Sequence, residues 1–130
     1  VCSSDLFLNL SSNRITCIYR NSYLNFKSME LDLSLNIITV LHQFAFHDLI
    51  FLECLILQGN SISSIKVGVF HNQKELVFLN MRSLALVTLH HHMFYGSQAI
   101  LNLDLSLNRL LPFPNKYARK FETSPSAKYF

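Results

Sequence analysis

Three histidines stand together at His90–His92, and adjacent imidazoles invite a metal ion. Neighbouring side chains on an extended segment point in alternating directions, and no cysteine or second histidine pair shares the spacing. The run is read as a solvated loop, and no metal ligand is assigned. Asp32 and Asp104 sit in identical surroundings, LDLSLN at 31–36 and again at 103–108, so a paired carboxylate acid and base is worth testing. Asn9-Leu10-Ser11 has the form of an N-glycosylation acceptor, which makes Asn9 a candidate modification site. Cys2, Cys17 and Cys54 cannot all pair within one chain. The sequence has no Gly-rich phosphate loop, no metal-ligand spacing and no nucleophile motif. It is therefore read as not an enzyme, with no catalytic residues and no cofactor.

What these residues can do depends on the elements that carry them. The two LDLSLN copies are 72 residues apart, which is three times 24, and the intermediate steps are occupied. Stepping back from Asn108 gives Leu84, Asn60 and Asn36, and a step of 23 gives Asn13. One apolar column reads Leu8, Leu31, Leu55, Leu79, Leu103, and another Leu10, Leu33, Leu57, Met81, Leu105. A third reads Ile15, Ile38, Ile62, Leu86, Leu110, and a late Phe recurs at Phe46, Phe70 and Phe94. The L-x-L alternation has period two, the mark of a short strand with one buried face. One unit of this length cannot bury enough apolar surface to stand alone, so successive units must stack. The strands would pair in parallel, centred near Leu8–Leu10, Leu31–Leu33, Leu55–Leu57, Leu79–Met81 and Leu103–Leu105. The bulkier return path, carrying the Phe column, would force the sheet onto the concave side.

The frame L-x-x-L-x-L-x-x-N-x-L over about residues 5–114 resembles the leucine-rich repeat family. The resemblance implies an α/β-type solenoid, with a short parallel sheet on the concave face and loops with short helical turns on the convex face. The repeat length and late Phe are similar to the extracellular class, and LDLSLN resembles the strand segment of Toll-like receptor ectodomains. Asn13, Asn36, Asn60 and Asn108 are read as a structural ladder. A buried carboxamide offers donors and acceptors to backbone groups stranded where the chain turns out of the strand. Leu84 breaks that ladder, so either a water substitutes or the turn at 82–85 differs locally.

Composition agrees with a folded chain whose stack holds residues 1–114 as about five uncapped repeats. Half the residues are hydrophobic and 15% are charged. No apolar run approaches the roughly 18–20 residues of a membrane span, so membrane contact would come only through a segment outside this chain. Val1 opens directly into patterned sequence with no leader-like run, which reads as a fragment. Residues 1–111 carry seven Lys/Arg and seven Asp/Glu, so the net +3 belongs to the end. Residues 115–130 are read as a flexible basic tail, with Lys116, Arg119, Lys120 and Lys128 against Glu122.

In this frame Asp32 and Asp104 are three strands apart, about 14 Å, beyond the reach of a catalytic pair. They become solvent-facing positions of a binding surface. The position between the paired leucines reads Asn9, Asp32, Ile56, Asn80, Asp104; one flanking column contains Cys54 and Phe78, the other Arg82. Asp32, Ile56, Phe78, Asn80, Arg82 and Asp104 are the candidate binding residues. The expected partner is a protein ligand or co-receptor, with no nucleic acid, and the expected setting is extracellular or at the cell surface. An intracellular scaffold in the cytoplasm is the alternative, favoured by the lack of Cys-rich caps.

Overall fold

The computed structural model describes residues 6–90 and 92–111. The expectations for His91, Cys2 and the basic tail fall outside the described residues. Five three-residue strands form one parallel sheet: β1 (Phe7–Asn9), β3 (Glu30–Asp32), β5 (Cys54–Ile56), β6 (Phe78–Asn80) and β7 (Asn102–Asp104). They lie in chain order, β1-β3-β5-β6-β7. A second parallel pair, β2 (Cys17–Ile18) with β4 (Val40–Leu41), was not legible as a strand pair in the sequence. The molecule is a parallel-strand solenoid.

The register is the one the repeat dictates. Leu8 faces Leu31, Leu31 faces Leu55, Leu55 faces Leu79 and Leu79 faces Leu103. Each strand lies one residue earlier than expected, spanning x-L-x rather than L-x-L. The ladder does continue, because Leu10 donates its N–H to the Asp32 carbonyl and Leu33 donates to Ile56. Two residues later, however, the chain enters a left-handed turn and regular pairing ends. That turn recurs at one column, with φ of 56° at Ser12, 54° at Leu35, 73° at Gly59, 55° at Ser83 and 54° at Leu107.

The ladder residues sit immediately after this turn. Asn60 is buried; its Nδ2 donates to the Leu33 carbonyl at 2.9 Å and to the Leu57 carbonyl at 2.7 Å, and its Oδ1 accepts the Ile38 N–H at 3.0 Å. Asn36 joins the first and second repeats in the same way, through Leu10 and Ile15. Asn108 joins the last two through Met81 and Leu86. Asn13 differs: it is exposed and donates only to carbonyls of its own turn, Leu10 and Ser11. It is the first rung, so no earlier described repeat presents a carbonyl to it. At Leu84 the local-turn alternative holds. Ala85 adds a second left-handed residue, φ 72°, and the Leu84 N–H turns to the Asn108 Oδ1 at 3.0 Å. Leu84 itself is fully buried. Asn60→Ala removes three buried bonds: the Leu57 carbonyl and the Ile38 amide lose this partner, while the Leu33 carbonyl keeps Asn36 Nδ2. The substitution is expected to lower stability by about 1–3 kcal/mol in denaturant melts. A silent Asn60→Ala would mean that this column carries no buried bonds.

The core lies between the sheet and the returning segments. Leu31, Leu33, Leu55, Leu57, Leu79 and Met81 are fully inaccessible. Phe46 and Phe70 stack at 6.1 Å with planes 3° apart, and Phe70 and Phe94 at 6.1 Å with planes 14° apart. Tyr23 extends the column to the first repeat, 6.2 Å from Phe46. Its burial pushes the phenol pKa far up. Beside the rings runs a second polar ladder that the sequence did not disclose: buried Gln73 donates to the Phe46 carbonyl, and Ser97 Oγ to the Phe70 carbonyl. The convex side is built of turns, and no helix is present among the described residues where short helical turns were expected.

Candidate concave binding face

Alternation along each strand sends the central leucine inward and its two neighbours out. The register therefore assembles two outward columns. One aligns Asn9, Asp32, Ile56, Asn80 and Asp104; the other aligns Phe7, Glu30, Cys54, Phe78 and Asn102. Five of the six candidate residues thus fall on two adjacent columns of one sheet, and Arg82 lies two residues beyond Asn80 on the same strand path. Asp32, Ile56, Phe78, Asn80, Arg82 and Asp104 are all partly exposed.

The geometry gives most of these residues a structural task as well. Oδ1 of Asp32 accepts the N–H of Ser34 at 2.8 Å, Asn80 accepts that of Arg82 at 3.0 Å, and Asp104 accepts that of Ser106 at 2.9 Å. Asn9 does the same for Ser11 at 2.9 Å. Each closes a turn two residues on, at the point where the strand ends. The signal was present in the sequence as Asp-Leu-Ser, written twice, and as Asn-x-Ser and Asn-x-Arg. Ile56 cannot cap a turn.

Two side-chain links cross between repeats. Asn80 Nδ2 donates to Gln58 Oε1 at 3.0 Å, and Arg82 Nη1 donates to Ser106 Oγ at 2.6 Å. Ser106 Oγ in turn donates to Asp104 Oδ1 at 2.5 Å. Arg82 is thereby held near Asp104 through a hydroxyl, while its other guanidinium N–H groups can serve a partner. Gln58 and Ser106 belong to this network and were not among the sequence candidates. At the other end, desolvation and the neighbouring Asp32 charge raise the pKa of the Glu30 carboxyl. Asn9 is exposed on β1, and its Oδ1 also accepts the Ser11 hydroxyl at 2.6 Å.

Cys54 departs from its column. It was read as a sheet-face residue, yet it is 1% exposed and is disulfide-bonded, whereas Cys17 carries a free thiol. His90 and His92 lie exposed on the return path of the fourth repeat, with rings 5.9 Å apart. Among the described residues no three His, Cys, Asp or Glu side chains converge as metal ligands. No helix among them is long and apolar enough to cross a membrane.

Residues 27–86 match the family model described as Leucine rich repeat. No curated protein matches the chain. A parallel solenoid with an inter-turn Asn ladder, together with this match over its second to fourth strands, supports placing the chain in the leucine-rich repeat family.

Proposed function

We propose that the chain is a protein-recognition module whose concave face takes a protein ligand or co-receptor. The leucine-rich repeat supports protein–protein interaction in general, and the specific reading rests on one observation. Phe78, Asn80 and Asp104 lie on adjacent strands with Arg82 two residues beyond Asn80; Asn80 and Arg82 are held by bonds across repeats, to Gln58 and Ser106, and Asp104 by bonds within its own turn. An aromatic group beside a fixed guanidinium is the composition of an interface anchor. Holding both before contact lowers the ordering cost of binding.

The same reading places the chain in a Toll-like or related receptor outside the cell. The disulfide at Cys54 supports it, because such bonds persist in oxidising compartments. Asn9 is the proposed glycan acceptor in that setting. The second reading, a cytoplasmic scaffold, draws support from the free thiol of Cys17.

The concave face covers four strand gaps, roughly 19 Å, by about 12 Å along each strand. Stable partners cover about 800 Å² per side, so this segment alone is expected to bind weakly. The test is a titration with a partner recovered by cross-linking. Phe78→Ala and Arg82→Ala are each expected to weaken binding by about tenfold or more. Lys66→Ala, exposed on the far side, is expected to leave it unchanged. Loss with Lys66→Ala alone would overturn the concave assignment.

A further inference from the structure

Away from the sheet, the second, third and fourth repeats carry an aromatic column that the concave reading does not use. Phe44 packs edge-on to His71 at 5.8 Å, and His71 stacks on Tyr95 at 5.8 Å with planes 19° apart. Tyr95 is 63% exposed, so one ring face of the stack stands open to solvent. Next to it lies a cavity of about 750 Å³, lined by His71, Asn72, Lys74, Tyr95 and Gln98 with the backbone of Gly96. Gly96 has φ +90°, and a Cβ there would lie 2.0 Å from the His71 carbonyl oxygen. The cavity therefore sits where two successive turns touch backbone to backbone.

The accessible wall is more carbon than polar, as an aromatic plate makes it, and among the described lining residues Asn72, Lys74 and Gln98 supply the polar ends. Among the described residues it contains no Asp or Glu; Glu53 and Glu75 line an adjoining cavity that shares Asn72 and Lys74 with it. Lys74 supplies a positive charge. Asn72 uses Nδ2 on the His47 carbonyl at 3.0 Å, which leaves its Oδ1 as an acceptor, and Gln98 offers both a donor and an acceptor. An open aromatic plate, two carboxamides and one cation suit a ligand with a flat carbon face, several hydroxyls and one negative charge.

We propose that this cavity is a second binding site, for an acidic sugar. The sugar ring lies on Tyr95, Asn72 and Gln98 bond its hydroxyls, and Lys74 takes the sulfate or carboxylate. The site is separate from the concave face and does not depend on that face binding protein.

The test uses the ¹⁵N-labelled chain at physiological salt with four probes: N-acetylglucosamine 6-sulfate, its unsulfated parent, inorganic sulfate and a short single-stranded oligonucleotide. Amide shifts are expected to concentrate at 71–74 and 95–99. The sulfated sugar should bind at least about fivefold more tightly than either the parent or inorganic sulfate, the increment of one partly exposed charge contact. Lys74→Gln should bring the sulfated sugar down to the level of the parent, and Tyr95→Ala should weaken both sugars by a similar factor. Both side chains are exposed, so the fold is expected to survive, which circular dichroism checks. Inorganic sulfate binding as tightly as the sugar, shifts spread over other basic residues, or tighter binding of a single-stranded oligonucleotide would each overturn the proposal.

Discussion

Phe70→Ala is expected to lower the unfolding free energy by about 3–5 kcal/mol, among the largest effects of any single truncation in this chain. Phe70 is fully buried and stacks on both sides, against Phe46 and Phe94. Its loss removes apolar burial, opens a cavity and breaks two ring contacts at once, each worth about 0.5–1.5 kcal/mol beyond area. The solenoid is also quasi-one-dimensional, so damage at a middle repeat uncouples the repeats on either side. Chemical denaturation should therefore show both a lower midpoint and a shallower slope for Phe70→Ala. Phe94 is only half-buried, and Phe94→Ala should cost clearly less. Equal losses for the two would mean that the column does not work as a continuous stack.

The second large effect is expected at Gly96→Ala. The residue lies at φ +90°, where an L side chain is strained, and its Cβ would meet the backbone oxygen of His71 at 2.0 Å. Left-handed strain costs about 1–2 kcal/mol. The clash forces the turns apart and should bring the total to about 3–4 kcal/mol. Gly68→Ala isolates the two contributions. Gly68 has the same φ of +90°, but its nearest contacts are Gln43 side-chain atoms at 3.2 Å, which can move. Gly68→Ala should then cost only the conformational part. If the two substitutions prove equal in thermal or denaturant melts, the close approach of the fourth turn to His71 is not part of the folded state.

Much of this architecture was legible because it repeats. One apolar column can arise by accident, but Leu8, Leu31, Leu55, Leu79 and Leu103 in register with a second column cannot easily do so. That is why strand order, parallel pairing and the Phe stack followed from spacing alone. The features that escaped notice do not repeat or are not apolar. Tyr23 joins the ring column as a different residue type after a 23-residue step. Gln73 and Ser97 perform one task with different side chains, so no column announced them. The β2–β4 pair is two residues long and has no alternation of its own to read. Strand ends were misplaced by one residue because hydrophobic pattern marks which side chains point inward. Where pairing stops is decided by the left-handed residue at Ser12, Leu35, Gly59, Ser83 and Leu107, and four of those five are not glycine.

The candidate site was legible as a surface but not as a mechanism. Spacing placed Asn9, Asp32, Ile56, Asn80 and Asp104 in one column. It did not reveal that the Asn and Asp members spend an oxygen closing their own turns, which gives those residue types a reason to stand there without any ligand. Arg82 and Phe78 have no such task in the turn, so a partner would draw most of its energy from them. Cys54 could not be placed correctly from spacing, because its burial and disulfide depend on neighbours outside its own strand.

Recognition through the concave face is tested most directly by photo-crosslinking from single positions of the displayed chain. A photoreactive residue is placed in turn at 32, 56, 80 and 104 on the sheet, and at 24, 66 and 87 on the opposite and lateral surfaces, and adducts are scored on cells and in their medium. The account predicts one protein partner captured from 80 and 104, more weakly from 32 and 56, and not from the other three positions. A partner captured from 24, 66 or 87 with none from 80 or 104 would contradict it.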